Sequence, residues 1–199
     1  MTHLILIRHG ESEANLRRQV VGASSCRLTS RGCKQVKTLR QLLETRVSSI
    51  DAVITSDTVR TLQTTQILFP HAAVIVDNRL NEIDAGTVTS WPRSKFDAAY
   101  PHFFKRFRAS NRFPRGESHL EMFKRQIQAF KTISKQYTGR KQTVVVVCHA
   151  GTISSLLHHC FRIPLGYYSR FTTANASLSE IKLHQGLKWP QLIAFNHTP

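Results

Sequence analysis

A chain of 199 residues, 41% hydrophobic and 20% charged, can bury the core of one domain, and its composition excludes a disordered polymer. Its formal charge of +16 sets up a field that attracts phosphates and other anions. No run approaches the ~18 apolar residues of a membrane span, and the N-terminus shows no basic leader. The expectation is a cytoplasmic protein without membrane contact.

The first element is a buried strand over His3 to Ile7, short, rich in Ile and Leu, and ending on Arg8-His9-Gly10. The glycine permits a sharp turn out of the strand. Glu11 to Arg27 is polar and reads mainly as loop. Thr29 can cap a helix to about Arg46, with Val36, Leu39, Leu42 and Leu43 on one face. A second strand covers Ile50 to Thr55. Ser56 can cap the next helix, which Pro70 ends.

Ala73 to Val76 reads as a third strand, followed by a loop over Arg79 to Gly86. Between Trp91 and Pro114, aromatic residues recur at helical spacing around Pro101, predicting two short helices that form a lid. Most of these aromatics suit a small packed core, with one or two of Phe96, Tyr100, Phe103 and Phe104 facing a pocket. Ser118-His119-Leu120-Glu121 fits a capping box and opens a helix that stops near Gly139. Residues 93–142 hold 13 lysines and arginines against three acidic residues, a net +10.

Thr143 to Val147 is β-branched throughout, as a central strand buried on both faces requires. A helix over Thr152 to Phe161 follows. Leu178 to Leu183 alternates as a half-exposed strand, and Leu187 to Phe195 reads as a last strand, set at an edge by Pro190. The fold class is therefore α/β: a three-layer α/β/α sandwich with a mainly parallel sheet, antiparallel at one edge, and a small helical lid insertion. Residues 1–199 form a single domain, with the lid at about 91–114. The four cysteines make no C-x-x-C pair, which favours reduced thiols over disulfides or a metal site.

In such a sheet, ligands bind beyond the carboxyl ends of the strands. Those ends deliver Arg8 and His9, then Ser56 to Thr61 with Arg60, then Arg79 to Glu82, then His149-Ala150-Gly151. Arginines match phosphate oxygens with forked donors. A neutral histidine can attack phosphorus and split one displacement into two. A carboxylate, here Glu82, can protonate the leaving alkoxide and then deprotonate water.

Leu6-Ile7-Arg8-His9-Gly10-Glu11-Ser12 with Asn15 resembles the signature of the histidine phosphatase (phosphoglycerate mutase-like) superfamily. The resemblance continues over Ser56 to Thr64, Arg79 to Gly86, Gly116 to Ser118 and Val147 to Gly151. It departs at Ser25 and Arg27, where relatives often carry Asp and Pro, and at Val21. It implies a phosphohistidine at His9, a phosphate pocket of Arg8, Arg60 and His149, and Glu82 as proton donor. It also places Asn15 and the main chain near Gly22 and Ala150 around the substrate. The branch it resembles contains small-molecule phosphatases such as α-ribazole phosphatase. The activity expected is therefore a phosphomonoesterase acting on a small phosphorylated metabolite and releasing inorganic phosphate, with no cofactor and no metal. The rivals are a phosphoglycerate mutase, a phosphoprotein phosphatase, and a non-catalytic polyanion-binding module. Without a recognisable RNA-binding motif, nucleic acid is not the expected partner. Self-association into a homo-oligomer stays open.

Overall fold

The computed structural model describes residues 1–20, 22, 25–139, 141–166, 170–184 and 190–199. Its centre is a six-stranded sheet. In chain order the strands are β1 (Thr2–Arg8), β2 (Ala52–Thr55), β3 (Val74–Val76), β4 (Gln142–Cys148), β5 (Leu178–Leu183) and β6 (Gln191–His197). Their order across the sheet is β3-β2-β4-β1-β5-β6. The first four are mutually parallel, with Leu4 opposite Val144 and Val53 opposite Val145. β5 and β6 add antiparallel strands at one edge.

The two-residue period of a strand sorts the side chains into two cores. Leu4, Leu6, Val144 and Val146 face one side. There they meet Ile127, Phe130 and Ile133 of α5 (His119–Tyr137), and Ile153, Leu156 and Leu157 of α6 (Ala150–Cys160). Ile5, Ile7, Val145 and Val147 face the other side. Their partners are Val36, Leu39 and Leu43 of α2 (Ser30–Arg46) and Leu68 of α3 (Val59–Leu68). This is the expected three-layer sandwich, and β4 is buried on both faces as its β-branched run requires.

Several details differ from expectation. Within the polar stretch after β1, a single-turn helix, α1 (Glu13–Leu16), is capped by Ser12. Asn15 completes the capping box by accepting from the Ser12 backbone N–H, a role usually filled by Glu or Gln. Ser56 does not cap α3. The cap position is Thr58, and the Ser56 hydroxyl is engaged instead with His149 and Thr61.

Gly10 is not in the left-handed region that favours glycine. It is demanded by proximity: a Cβ there would come within 2.7 Å of both the Gly32 carbonyl oxygen and Val36 Cγ2 on α2. The short third strand, β3, lies at the sheet's other edge, so its Val74, Ile75 and Val76 are exposed. β6 forms the opposite edge and starts just after Pro190, while 187–189 lie outside the described residues.

The 91–114 segment contains one α-helix, α4 (Arg93–Ala99), followed by turns over 101–106 rather than a second helix. Phe96 is its fully buried anchor, packed with Phe103, Phe104 and Phe113 over Val20, Ile83, Val88 and Met122. Among the described residues no helix is long and apolar enough to cross a membrane. All four cysteines are free thiols.

Candidate active site

The strand ends do converge. β1 runs out at Arg8, and the His9 backbone N–H bonds to the Cys148 carbonyl at the end of its parallel neighbour β4. This places His9 and His149 side by side, with ring centroids 5.2 Å apart. α3 then sends Arg60 into the same point. Arg60 and His149 are 0% exposed and His9 only 3%.

The hydrogen bonds fix the state of each ring. His9 Nδ1 donates to the Gly10 carbonyl at 2.7 Å, because a carbonyl can only accept. Nε2 is then the bare nitrogen, and it accepts from Arg60 Nε at 3.2 Å. Arg60 Nη2 donates to His149 Nδ1 at 3.2 Å, so His149 carries its proton on Nε2, which meets Ser56 Oγ at 2.8 Å. The same Nη2 also bonds to the Gly22 carbonyl at 3.1 Å. Burial, and then the charges of Arg60 and Arg8, hold His9 well below the ordinary histidine pKa; the bond to Gly10 opposes them. Burial also holds His149 down, followed by Arg60, His9, Arg8 and Arg125. Two neutral imidazoles therefore sit against arginines that never lose their charge.

The carboxylate comes from the loop after β3. Glu82 Oε2 accepts from the Gly151 backbone N–H at 3.1 Å, and Oε1 from Ile83 N–H at 3.1 Å. A Cβ at position 151 would overlap Glu82 Oε1, so only glycine lets the carboxylate come this close to the start of α6. Arg79 is paired with Asp77 at 2.7 Å rather than with Glu82. Glu11 accepts from Thr29, and Asp84 from the Gly86 backbone.

A cavity of about 290 Å³ opens beside these groups. Arg8, His9, Asn15, Glu82 and Ala150 line it, while Arg60 and His149 back His9 and Gly22 braces Arg60 through its carbonyl. Asn15 also bonds to Asn175, which holds the His9 carbonyl in turn. Phe104 is the only one of the four aromatics named from the sequence that lines the cavity, and it is joined by Phe107 and Phe113. Ser118 serves as the cap of α5, as expected.

Other residues here were missed in the sequence. Arg125 on α5 donates to the carbonyls of Arg79, Asn81 and Glu82 at 2.8–2.9 Å and pairs with Glu117 at 2.7 Å, pinning the loop that carries Glu82. Thr173 offers its carbonyl to Arg8 and lines the cavity. His158, read as structural or solvent-facing, is 2% exposed and forms part of the cavity wall. No local pattern marks these three: the carbonyls that Arg125 holds lie more than 40 residues away, Thr173 meets Arg8 across the chain, and His158 joins a wall built from distant segments. Among the described residues no group of His, Cys, Asp and Glu is arranged to hold a metal ion.

The sequence model of the histidine phosphatase superfamily (branch 1) matches residues 4–196. The chain belongs to that superfamily. A relative from Yersinia enterocolitica, named "Probable phosphoglycerate mutase GpmB", is 30% identical over 186 residues, covering 91% of this chain and 85% of that protein. The phosphoserine phosphatase of Entamoeba histolytica, solved with 3-phosphoglyceric acid, superposes with a TM-score of 0.85 at 26% identity, covering 100% of this chain and 98% of that one. The α-ribazole phosphatase of Shigella flexneri shares the fold, with a TM-score of 0.86 at 24% identity over 98% of this chain and 96% of that one. Mutase-like proteins thus appear among the sequence relatives and phosphatases among the solved structures.

Proposed function

We propose that the protein is a metal-independent phosphomonoesterase that hydrolyses a small phosphorylated metabolite through a phosphohistidine on His9. The observation that carries this is the bare Nε2 of a neutral His9, held by the Gly10 carbonyl on one side and Arg60 on the other. An unprotonated ring nitrogen is what attack on phosphorus requires.

In this reading Arg8 meets the phosphoryl oxygens from the cavity wall, and Arg60 and His149, behind His9, complete the phosphate pocket as charge builds in the transition state. Glu82, across the cavity, gives a proton to the departing alkoxide and then takes one from the water that attacks the phosphohistidine. Asn15, Gly22 and Ala150 complete the substrate surround. The whole chain acts as one domain, with 91–114 as its lid. The experiment is hydrolysis of p-nitrophenyl phosphate. His9→Ala is expected to lose at least about a thousand-fold in kcat, as removal of a covalent nucleophile does. Chelators are expected to leave the wild-type rate unchanged. Undiminished turnover in His9→Ala would defeat the proposal, and formation of an isomeric phosphoglycerate in place of inorganic phosphate would assign the protein to the mutases.

A further inference from the structure

The far end of the cavity is built unlike the reaction end. Phe104, Phe107 and Phe113 line it from the lid, Met122 and His119 from α5, and Leu165 and Phe171 from the segment after α6. The rings form two groups. His119 lies 5.1 Å from Phe107, 5.9 Å from Phe113 and 6.3 Å from Phe104, and His158 meets Phe171 edge-on at 5.4 Å. Burial pushes the His119 pKa down to about 4, so this ring is uncharged at neutral pH. Among the described residues, the cation at this end of the lining is Arg93, which stacks over Phe104 at 4.2 Å and is bonded to Asp97 at 2.9 Å. A second anionic group on a ligand would meet rings here, with the Arg93 charge already compensated.

Buried ring nitrogens of His119 and His158 interrupt this apolar lining. His158 Nδ1 donates to the Ile163 carbonyl at 3.0 Å, and in that tautomer Nε2 is the acceptor. That Nε2 is buried and meets no hydrogen-bonding partner among the described residues. α6 itself measures its distance from the chemistry. Gly151, whose N–H holds Glu82, and His158 are seven residues apart, about 10 Å along the axis at 1.5 Å per residue. Ser154 and Ser155 line the cavity between them.

We infer that the cavity selects phosphate monoesters whose leaving group is an uncharged, flat ring system with a hydrogen-bond donor on its far edge, stacked against the Phe104–Phe107–Phe113 wall and received by His158 Nε2. The inference rests on the phosphoryl reading of the same cavity and gives it a substrate class. It separates this chain from short, doubly charged esters such as phosphoserine and 3-phosphoglycerate. These extend only roughly 5 Å beyond phosphorus by ordinary bond lengths and end in a carboxylate.

The test compares alkyl esters with similar leaving oxygens: 2-(indol-3-yl)ethyl phosphate, its N-methylindole analogue and phosphoserine. Turnover is measured on the wild-type enzyme, and calorimetry with the corresponding non-hydrolysable phosphonates measures binding apart from chemistry. The indole ester is expected to exceed phosphoserine at least about tenfold in kcat/KM, and its phosphonate to bind at least about tenfold more tightly, from burial of the ring. N-methylation is expected to cost about five- to tenfold in wild type, as loss of one hydrogen bond to a buried acceptor does. That difference should vanish in His158→Leu and persist in His158→Gln, whose amide oxygen can accept. Selective phosphonate binding without turnover of any ester would uphold the inference and overturn the reaction. Phosphoserine and its phosphonate matching or beating the indole pair would overturn the inference while leaving the reaction standing. An N-methyl analogue that binds wild type as well as its parent would remove His158 from the recognition.

Discussion

The reaction end of the cavity is held by hydrogen bonds and charge, whereas the lid end is held by ring packing. Arg60, His9, His149 and Ser56 form a chain of polar contacts in which each partner fixes the next one's protons, and none of the four is more than 3% exposed. Phe96, by contrast, is held by apolar shape, with the rings of Tyr100, Phe103, Phe104 and Phe113 around it. Polar networks in a dry interior have few alternative arrangements, because an orphaned donor is costly. Aromatic clusters tolerate exchange of one apolar shape for another. The reaction end is thus suited to one unchanging task, and the lid to adjustment of what is admitted.

The sharpest way to break this contrast is Arg60→Ala. It removes the charge that faces both imidazoles and leaves the Gly22 carbonyl and His149 Nδ1 without a donor. Breaking one partner of a buried charged network costs about 3–5 kcal/mol. We expect that loss in a urea titration, together with a fall in kcat of about a hundred-fold or more. Arg60→Ala with near-normal kcat would show that the network is scaffolding alone. The matching cut on the other side is Phe96→Ala, which should cost about 3–5 kcal/mol of stability as a large buried ring is lost. Here KM should move more than kcat.

Glu82→Gln sharpens the division of labour within the reaction end. An alkyl ester, whose leaving group needs a proton, should slow by about 10²-fold or more. p-Nitrophenyl phosphate, whose phenolate leaves unaided, should slow much less in the first step. Equal losses in kcat/KM, which reports the first step alone, would take protonation of the leaving group away from Glu82.

Acid strains both ends of the cavity at once. His9, His149 and His119 are all depressed by burial, with His119 at about 4. Below the ordinary histidine pKa near 6.5, the unfolded chain takes up protons that the folded chain refuses. Stability is therefore complete above about pH 6.5 and falls beneath it, by about 1.4 kcal/mol per pH unit for each such histidine. Urea midpoints between pH 7 and pH 5 should show this slope, and His119→Phe should flatten it. A flat profile in the wild type would mean that the buried rings already carry protons.

The two ends also differ in how far the sequence reveals them. Arg8, His9, Arg60 and His149 each lie at or just beyond the C-terminal end of an apolar strand, and a parallel sheet brings such ends together whatever the packing. The period-2 sorting of Leu4 to Ile7 and Val144 to Val147 onto two cores follows from the same local rule. What the sequence hid depends on distant neighbours. Ser56 reads as a helix cap until β4 delivers His149 beside it. Asn15 is a polar loop residue until the chain returns Asn175 to its side-chain oxygen. Arg125 is one more cation in a basic stretch until α5 packs against the loop after β3. In the lid, helical spacing correctly marks α4, but it overruns into 101–106, where Pro101 interrupts the backbone and the rings pack around turns.

The proposed reaction requires that His9 become phosphorylated. The most direct measurement is a rapid quench of the wild-type enzyme during turnover of a radiolabelled ester, followed by mapping of the label. A phosphoryl group is expected on His9, labile to acid and stable to alkali, appearing at least as fast as phosphate is released and absent from His9→Ala. Phosphate release at full rate with no label on the protein at any time would contradict it.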